Sequence, residues 1–206
     1  MIVIRPLIFV LVAAAMLLPG LAQAQFKFAP GTYELANGAK GTASLKLVLA
    51  AGGSPTMVVG VKNGREHKFR SNEITAFTID GHRFVQAANF RFRSGDDAGF
   101  QDPAILEIVE TGKVELFYYY YQVTMGPNFL AHVKLHVLRK PGTNTFFAYN
   151  PGRSPGFDSK LAPGTFVAAL FPADPVLQRK FATNGISLAQ LPAAVHAYNQ
   201  GVRFTP

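Results

Sequence analysis

Residues 77–85, Phe-Thr-Ile-Asp-Gly-His-Arg-Phe-Val, hold the pattern that decides the fold. Two runs rich in β-branched and aromatic residues flank Asp80-Gly81. A two-residue type I′ turn needs φ > 0 at both central positions, and Asp-Gly or Asn-Gly adopts it with least strain. The stretch therefore predicts a β-hairpin. Related dipeptides recur at Asn37-Gly38, Asn63-Gly64 and Thr111-Gly112, so the chain from Gly31 to Tyr149 predicts a meander. Strands are expected over Thr32–Leu35, Ala43–Leu49, Met57–Val61, Glu66–Arg70, Ile74–Ile79, His82–Phe92, Ile105–Val109, Val114–Gln122, His132–Arg139 and Thr145–Tyr149.

Alternation assigns faces to several of them. In Ser44-Leu45-Lys46-Leu47 the leucines share one side, and in Phe90-Arg91-Phe92-Arg93 the phenylalanines oppose the arginines. His132-Val133-Lys134-Leu135-His136-Val137 alternates likewise. Such strands suit an antiparallel sheet with one wet face.

Beyond the Pro/Gly loop at 151–163 the period changes. Asp174-Pro175 reads as an N-cap followed by proline at the first helical position, and Asn184-Gly185 as a stop, predicting a helix over Pro175–Thr183. Ser187 to Gln190 fits a capping box, with Ile186 and Leu191 as its hydrophobic staple. Leu188, Leu191, Val195 and Tyr198 then form a helical stripe ended by Gly201, and Pro192 predicts a distorted start. Residues 165–171 are compatible with strand or helix. The expected class is α+β: a mostly antiparallel sheet or open barrel (25–150) with two or three C-terminal helices (164–206), in one domain.

The N-terminal residues stand apart. Arg5 precedes an apolar run from Leu7 to Leu18, closed by Pro19-Gly20 and followed by Ala22-Gln23-Ala24. This is the pattern of a secretory signal peptide over 1–24. Twelve apolar residues fall short of the ~20 that a membrane-spanning helix needs. The rest of the chain has no second run of spanning length and no cysteine for lipid attachment, so an exported periplasmic or extracellular protein is expected.

Of 206 residues, 20 are Lys or Arg and 12 are Asp or Glu; 49% are hydrophobic, 16% are charged, and none is Cys or Trp. That balance excludes a disordered charged tail. Lack of cysteine excludes a disulfide scaffold, a thiolate metal site and a Cys nucleophile.

Candidate chemistry can be tested residue by residue. Gly152-Arg153-Ser154-Pro155-Gly156 matches G-x-S-x-G, with Asp158 or Asp174 and His196 following in hydrolase order. The match fails on mechanism, because the residue after the serine must donate an oxyanion N–H and Pro155 has none. His132 and His136 would lie ~13 Å apart on a strand, too far to share a metal, and are expected to face solvent. His67, His82 and His196 lack a partner spacing. Asp96, Asp97 and Asp102 form an acidic loop with weak calcium potential and no EF-hand spacing. No catalytic set and no cofactor is expected.

Between Val61 and Arg93 there are seven Lys or Arg against three acids. If paired strands display Arg91 and Arg93 beside Lys68 or Arg70, they form a cationic face for phosphate or carboxylate groups. Tyr118-Tyr119-Tyr120-Tyr121 places two tyrosines on each side of its strand; Tyr119 and Tyr121 are candidate ligand contacts if one side is open, whereas a doubly covered strand would bury them.

The order of Tyr-Glu-Leu-Ala-Asn-Gly (33–38), Phe77 to Val85, Leu106 to Leu116 and Leu191 to Asn199 resembles exported proteins of unknown function from Bacteroidetes, such as Hymenobacter-like bacteria. The resemblance implies an envelope or secreted setting and no known reaction. The function expected is a non-enzymatic module binding an anionic glycan, a lipid head group or an envelope protein, with no nucleic-acid partner. Its alternative is an enzyme acting on envelope polymers, which requires a cleft where carboxylates or histidines converge. A small outer-membrane barrel, which would need an apolar outer belt, is disfavoured by the helical tail.

Overall fold

A computed structural model of the chain describes residues 27–49, 55–94, 97–124, 130–151 and 163–205. The signal-like segment, the G-x-S-x-G motif and Asp96 lie outside them. The expected class is observed: twelve strands among the described residues form one sheet, and three helices follow.

The strands are β1 (Ala29–Leu35), β2 (Lys40–Leu49), β3 (Pro55–Lys62), β4 (Arg65–Arg70), β5 (Ile74–Ile79), β6 (His82–Ala87), β7 (Phe90–Ser94), β8 (Asp97–Gln101), β9 (Ala104–Glu110), β10 (Glu115–Thr124), β11 (Leu130–Arg139) and β12 (Thr145–Tyr149). Helices α1 (Pro163–Ala168), α2 (Pro175–Ala182) and α3 (Leu191–Gln200) complete the described elements. At Asn63-Gly64 and Asp80-Gly81 both residues have positive φ, and Lys62 pairs with Arg65 and Ile79 with His82, as two-residue hairpins require.

The sheet order β4-β3-β2-β1-β5-β6-β9-β10-β11-β12-β7-β8 departs from a simple meander. The expected strand over His82–Phe92 is broken by a turn at Ala88-Asn89, where Asn89 has φ 51. This turn carries the β7–β8 hairpin to the far edge of the sheet, where β7 pairs parallel with β12. The acidic stretch expected as a loop supplies β8. Asp102, just beyond it, is exposed and accepts the Asn89 N–H (2.9 Å).

Three apolar clusters show how the sheet bends. Leu45, Leu47, Val58, Phe77, Phe84 and Ile105 gather on one face, where β2 and β3 come back over β9 and β10. On the opposite face Phe90 reaches Tyr119 of β10 and Phe146 of the adjacent strand β12, with centroids 5.0 and 4.8 Å away, so side chains of β7 cover this face of β10. A third cluster seats the helices on Val114, Leu116, Leu138 and Tyr149. Strand β10 is therefore covered on both faces, and this accounts for its tyrosine run: Tyr119 and Tyr120 are buried, and Tyr118 and Tyr121 are half-buried.

The helix signals have visible partners. Asp174 caps α2 by accepting the Leu177 N–H (2.9 Å). Ser187 and Gln190 form the reciprocal box, with Ser187 N–H donating to Gln190 Oε1 (2.9 Å) and Gln190 N–H to Ser187 Oγ (3.3 Å). Pro192 leaves the expected mark: after the Ser187 box, residues 188–190 form a turn in which the Gln190 and Leu191 N–H groups both donate to the Ser187 carbonyl, and regular helix begins only at Leu191. Residues 165–168 are helical, and a turn follows.

Candidate functional site

Register places Phe84, Glu107, Tyr118, His136 and Tyr149 in one row across β6, β9, β10, β11 and β12. Directly paired residues point to the same side of a sheet, so the row is continuous, running between the core under β2–β3 and the core under the helices. Glu107 is only 5% exposed. Its Oε1 accepts from His82 Nδ1 (2.6 Å), and its Oε2 accepts from the buried Tyr120 hydroxyl. Both carboxylate oxygens are thus satisfied, as a buried charge requires.

His136 stands on the same row, 4% exposed, with its ring edge-on to Tyr118. Burial, reinforced by the positive charge of Lys134, depresses its pKa to about 4. The expectation that His132 and His136 both face solvent therefore holds only for His132. Burial and the nearby negative charge of Glu107 raise the Tyr118 pKa. Lys134 lies over the Tyr118 ring, its ammonium 4.4 Å from the centroid. Glu107 is thus a buried hydrogen-bonded anchor whose His82 partner reaches solvent, with a side chain 45% exposed.

A different place is open to ligand. Helix α2, the end of α3, the segment after Gly201 and Lys113 in the β9–β10 turn surround a cavity of about 250 Å³. Leu177, Tyr198 and Phe204 supply apolar wall, while Lys113, Lys180 and Arg203 supply charge. The Lys113 ammonium lies 5.9 Å from the Tyr198 centroid and that of Lys180 lies 5.5 Å from the Phe204 centroid. Among the described residues none of these three cations forms an ion pair with a carboxylate. The one acid on the wall, Asp174, is engaged in capping α2. Such a site can take an anion by charge-assisted hydrogen bonds.

The residues expected to form a cationic face are not brought together by strand pairing. Lys68 and Arg70 are exposed on β4 at one edge of the sheet, and β4 pairs with β3. Arg91 is exposed on β7, which pairs with β12 and β8. Arg93 pairs with Phe147 and Ala98 in backbone register. Tyr119 is only 6% exposed and stacks on the half-buried Tyr121 at 5.7 Å, packed against Phe90 and Phe92 rather than offered to a sugar. Asp97 opens β8 and pairs with Ser94. His196 has an unforeseen partner in Glu110 (2.9 Å). Among the described residues no group of three or more His, Asp or Glu side chains could hold a metal ion.

Neither Glu107 nor the cavity cations were singled out from sequence. Glu107 did leave a signal, as the lone acid among Ile105, Leu106 and Ile108, a strand otherwise apolar enough to be buried. Lys113, Lys180 and Arg203 left none, being far apart in the chain.

Fold and site together define a class: a strand-rich α+β protein with an open, mostly antiparallel sheet and a cation-lined cavity between α2, the end of α3 and Lys113. Comparison with protein-family models, curated proteins and solved structures finds no match to the chain. Among the described residues no helix is long and apolar enough to cross a membrane.

Proposed function

We propose that this protein is an exported, non-enzymatic binding module of a bacterial envelope, periplasmic or extracellular, which holds an anionic ligand in the cavity between α2, α3 and Lys113. The observation that supports this most is the meeting of Lys113, Lys180 and Arg203 at one cavity with no carboxylate partner among the described residues. The signal pattern of residues 1–24 supports export. The β3–β4 hairpin, with Lys62, Arg65, Lys68 and Arg70 at a sheet edge, offers a second positive surface toward anionic glycans or lipid head groups.

Titration with inorganic phosphate at low salt, followed by amide NMR, tests the site. The Lys113, Gly201 and Arg203 amides are expected to shift together, and the shifts should vanish in Lys113→Ala plus Arg203→Ala. No shift in the unmodified protein would overturn the proposal. An enzyme acting on envelope polymers is the second reading, favoured by the convergence of Glu107, Tyr120 and His82. It predicts polymer turnover lost in Glu107→Gln, but the carboxylate is buried and already doubly bonded.

A further inference from the structure

We infer, resting on the anion-binding reading above, that the ligand of this cavity is a small amphipathic anion, a carboxylate or phosphate joined to an apolar body the size of a medium acyl chain. An anion alone leaves half of the site unexplained. Only three large hydrophobic side chains are exposed among the described residues, Phe28, Val176 and Val202, and two of them line this one cavity. Val176 on α2 and Val202 after α3 are each 57% exposed. Leu177 and Phe204 continue the apolar surface. Single exposed hydrophobes are unremarkable, but two converging on a concavity mark a place where apolar surface is to be covered.

The cations are arranged for the other end of such a ligand. Lys113 lies beside Gly201, and the ammonium groups of Lys113 and Lys180 stand over the Tyr198 and Phe204 rings. Positive charge thus sits next to apolar surface, which is where the junction of a head group and its chain would fall. Arg203 contributes a planar fork suited to two oxygens of one carboxylate or phosphate.

Volume limits the body. A cavity of about 250 Å³ lies below the range of most drug-sized pockets and so suits a short apolar body. A medium acyl chain fits, whereas a full membrane-lipid chain would project from the site. A freely diffusing amphiphile is therefore the source that matches, rather than a lipid held in a bilayer.

Calorimetric and NMR titrations of the purified chain with octanoate, acetate, inorganic phosphate, octyl glucoside and palmitate separate the alternatives. Octanoate is expected to bind about tenfold more tightly than acetate or phosphate, the gain that covering two valines provides. The same advantage should hold over neutral octyl glucoside and over palmitate. Val202→Ser, a neutral change that adds no charge to repel the anion, should remove most of the octanoate advantage over acetate. Arg203→Ala should weaken octanoate without affecting folding, since both side chains stand at the cavity rim. Octanoate no tighter than phosphate, or octyl glucoside as tight as octanoate, would overturn the amphiphile while phosphate shifts keep the anion site. Palmitate tighter than octanoate would overturn the size limit and the free source. Absence of any response to octanoate or phosphate would overturn both this inference and the anion site beneath it.

Discussion

Tyr118 on β10 and His136 on β11 stand directly opposite each other, their ring centroids 4.8 Å apart and their planes at 76°. The buried imidazole thereby stands between Tyr118 and its other register partner, Tyr149 on β12, and the positive charge of Lys134 acts on it. In the unfolded chain His136 takes up a proton near pH 6.5, whereas in the fold it does so only near pH 4. Between those values the unfolded state binds more protons. Stability from this residue is therefore complete above about pH 6.5 and declines as pH falls toward 4, by about 3 kcal/mol in total. His136→Gln should flatten the stability profile over that window relative to the unmodified chain, as read by urea unfolding at successive pH values. Parallel profiles would refute the buried neutral imidazole.

Glu107 joins β9 to both of its sides, through Tyr120 on β10 and His82 on β6. Glu107→Ala leaves the buried Tyr120 hydroxyl without its acceptor and should cost about 2–4 kcal/mol. Tyr120→Phe should cost less, because the carboxylate keeps its His82 bond at Oε1 and only Oε2 loses its donor. A double-mutant cycle between the two is expected to give a coupling of about 1–3 kcal/mol. Strict additivity in chemical denaturation would show that the hydrogen bond contributes nothing to folding.

Asn199 ties α3 to the sheet. Its Oδ1 accepts the Val114 N–H (2.9 Å) and its Nδ2 donates to the Val114 carbonyl (2.8 Å), so one side chain satisfies both backbone groups of a buried residue. The close approach is permitted by Gly112, at φ 153, where a Cβ would strike the Asn199 carboxamide. Asn199→Ala should cost about 2–3 kcal/mol and speed hydrogen exchange at the Val114 amide. Asn199→Asp keeps the acceptor but loses the donor, so it should fall between the two; unchanged Val114 exchange in both variants would disprove the tie.

What the sequence displayed and what it concealed divide along chain separation. Asp80-Gly81 and Asn63-Gly64 revealed their hairpins because the turn geometry is fixed by the two residues themselves. Asp174-Pro175 and Ser187 to Gln190 revealed helix starts for the same local reason. The bend at Ala88-Asn89 was invisible because no glycine follows Asn89 and the flanking residues continue a strand pattern. The parallel pairing of β7 with β12 joins segments some fifty residues apart, and no local signal encodes it. His132 and His136 share a strand face and a residue type, yet only the second stands in the buried row between Tyr118 and Tyr149, a difference set by tertiary cover. The candidate site is the extreme case: Lys113, Lys180 and Arg203 become neighbours only once α2 and α3 have docked.

That docking rests on Gly164, which lies in α1 where α1 meets the end of α2. A Cβ there would fall on the Phe181 carbonyl oxygen, a backbone atom that has no rotamer by which to withdraw. Helix propensity alone favours Gly164→Ala by about 1 kcal/mol. The collision opposes it, because α1 must shift away from α2 and disturb Phe171 stacked on Phe181 at 4.6 Å, at a loss of about 2–3 kcal/mol. The steric term should win, giving a net destabilisation of about 1–2 kcal/mol and a weaker aromatic near-ultraviolet dichroism signal. Gly185→Ala provides the control at the other side of the same helix end. Its Cβ would lie 3.3 Å from the Lys180 carbonyl oxygen, tight but within reach of a small adjustment, so its cost should be distinctly smaller. A stabilised Gly164→Ala protein would mean that α1 is not seated against Phe181, and the α2 wall of the cavity would lose the support that positions Lys180 opposite Lys113.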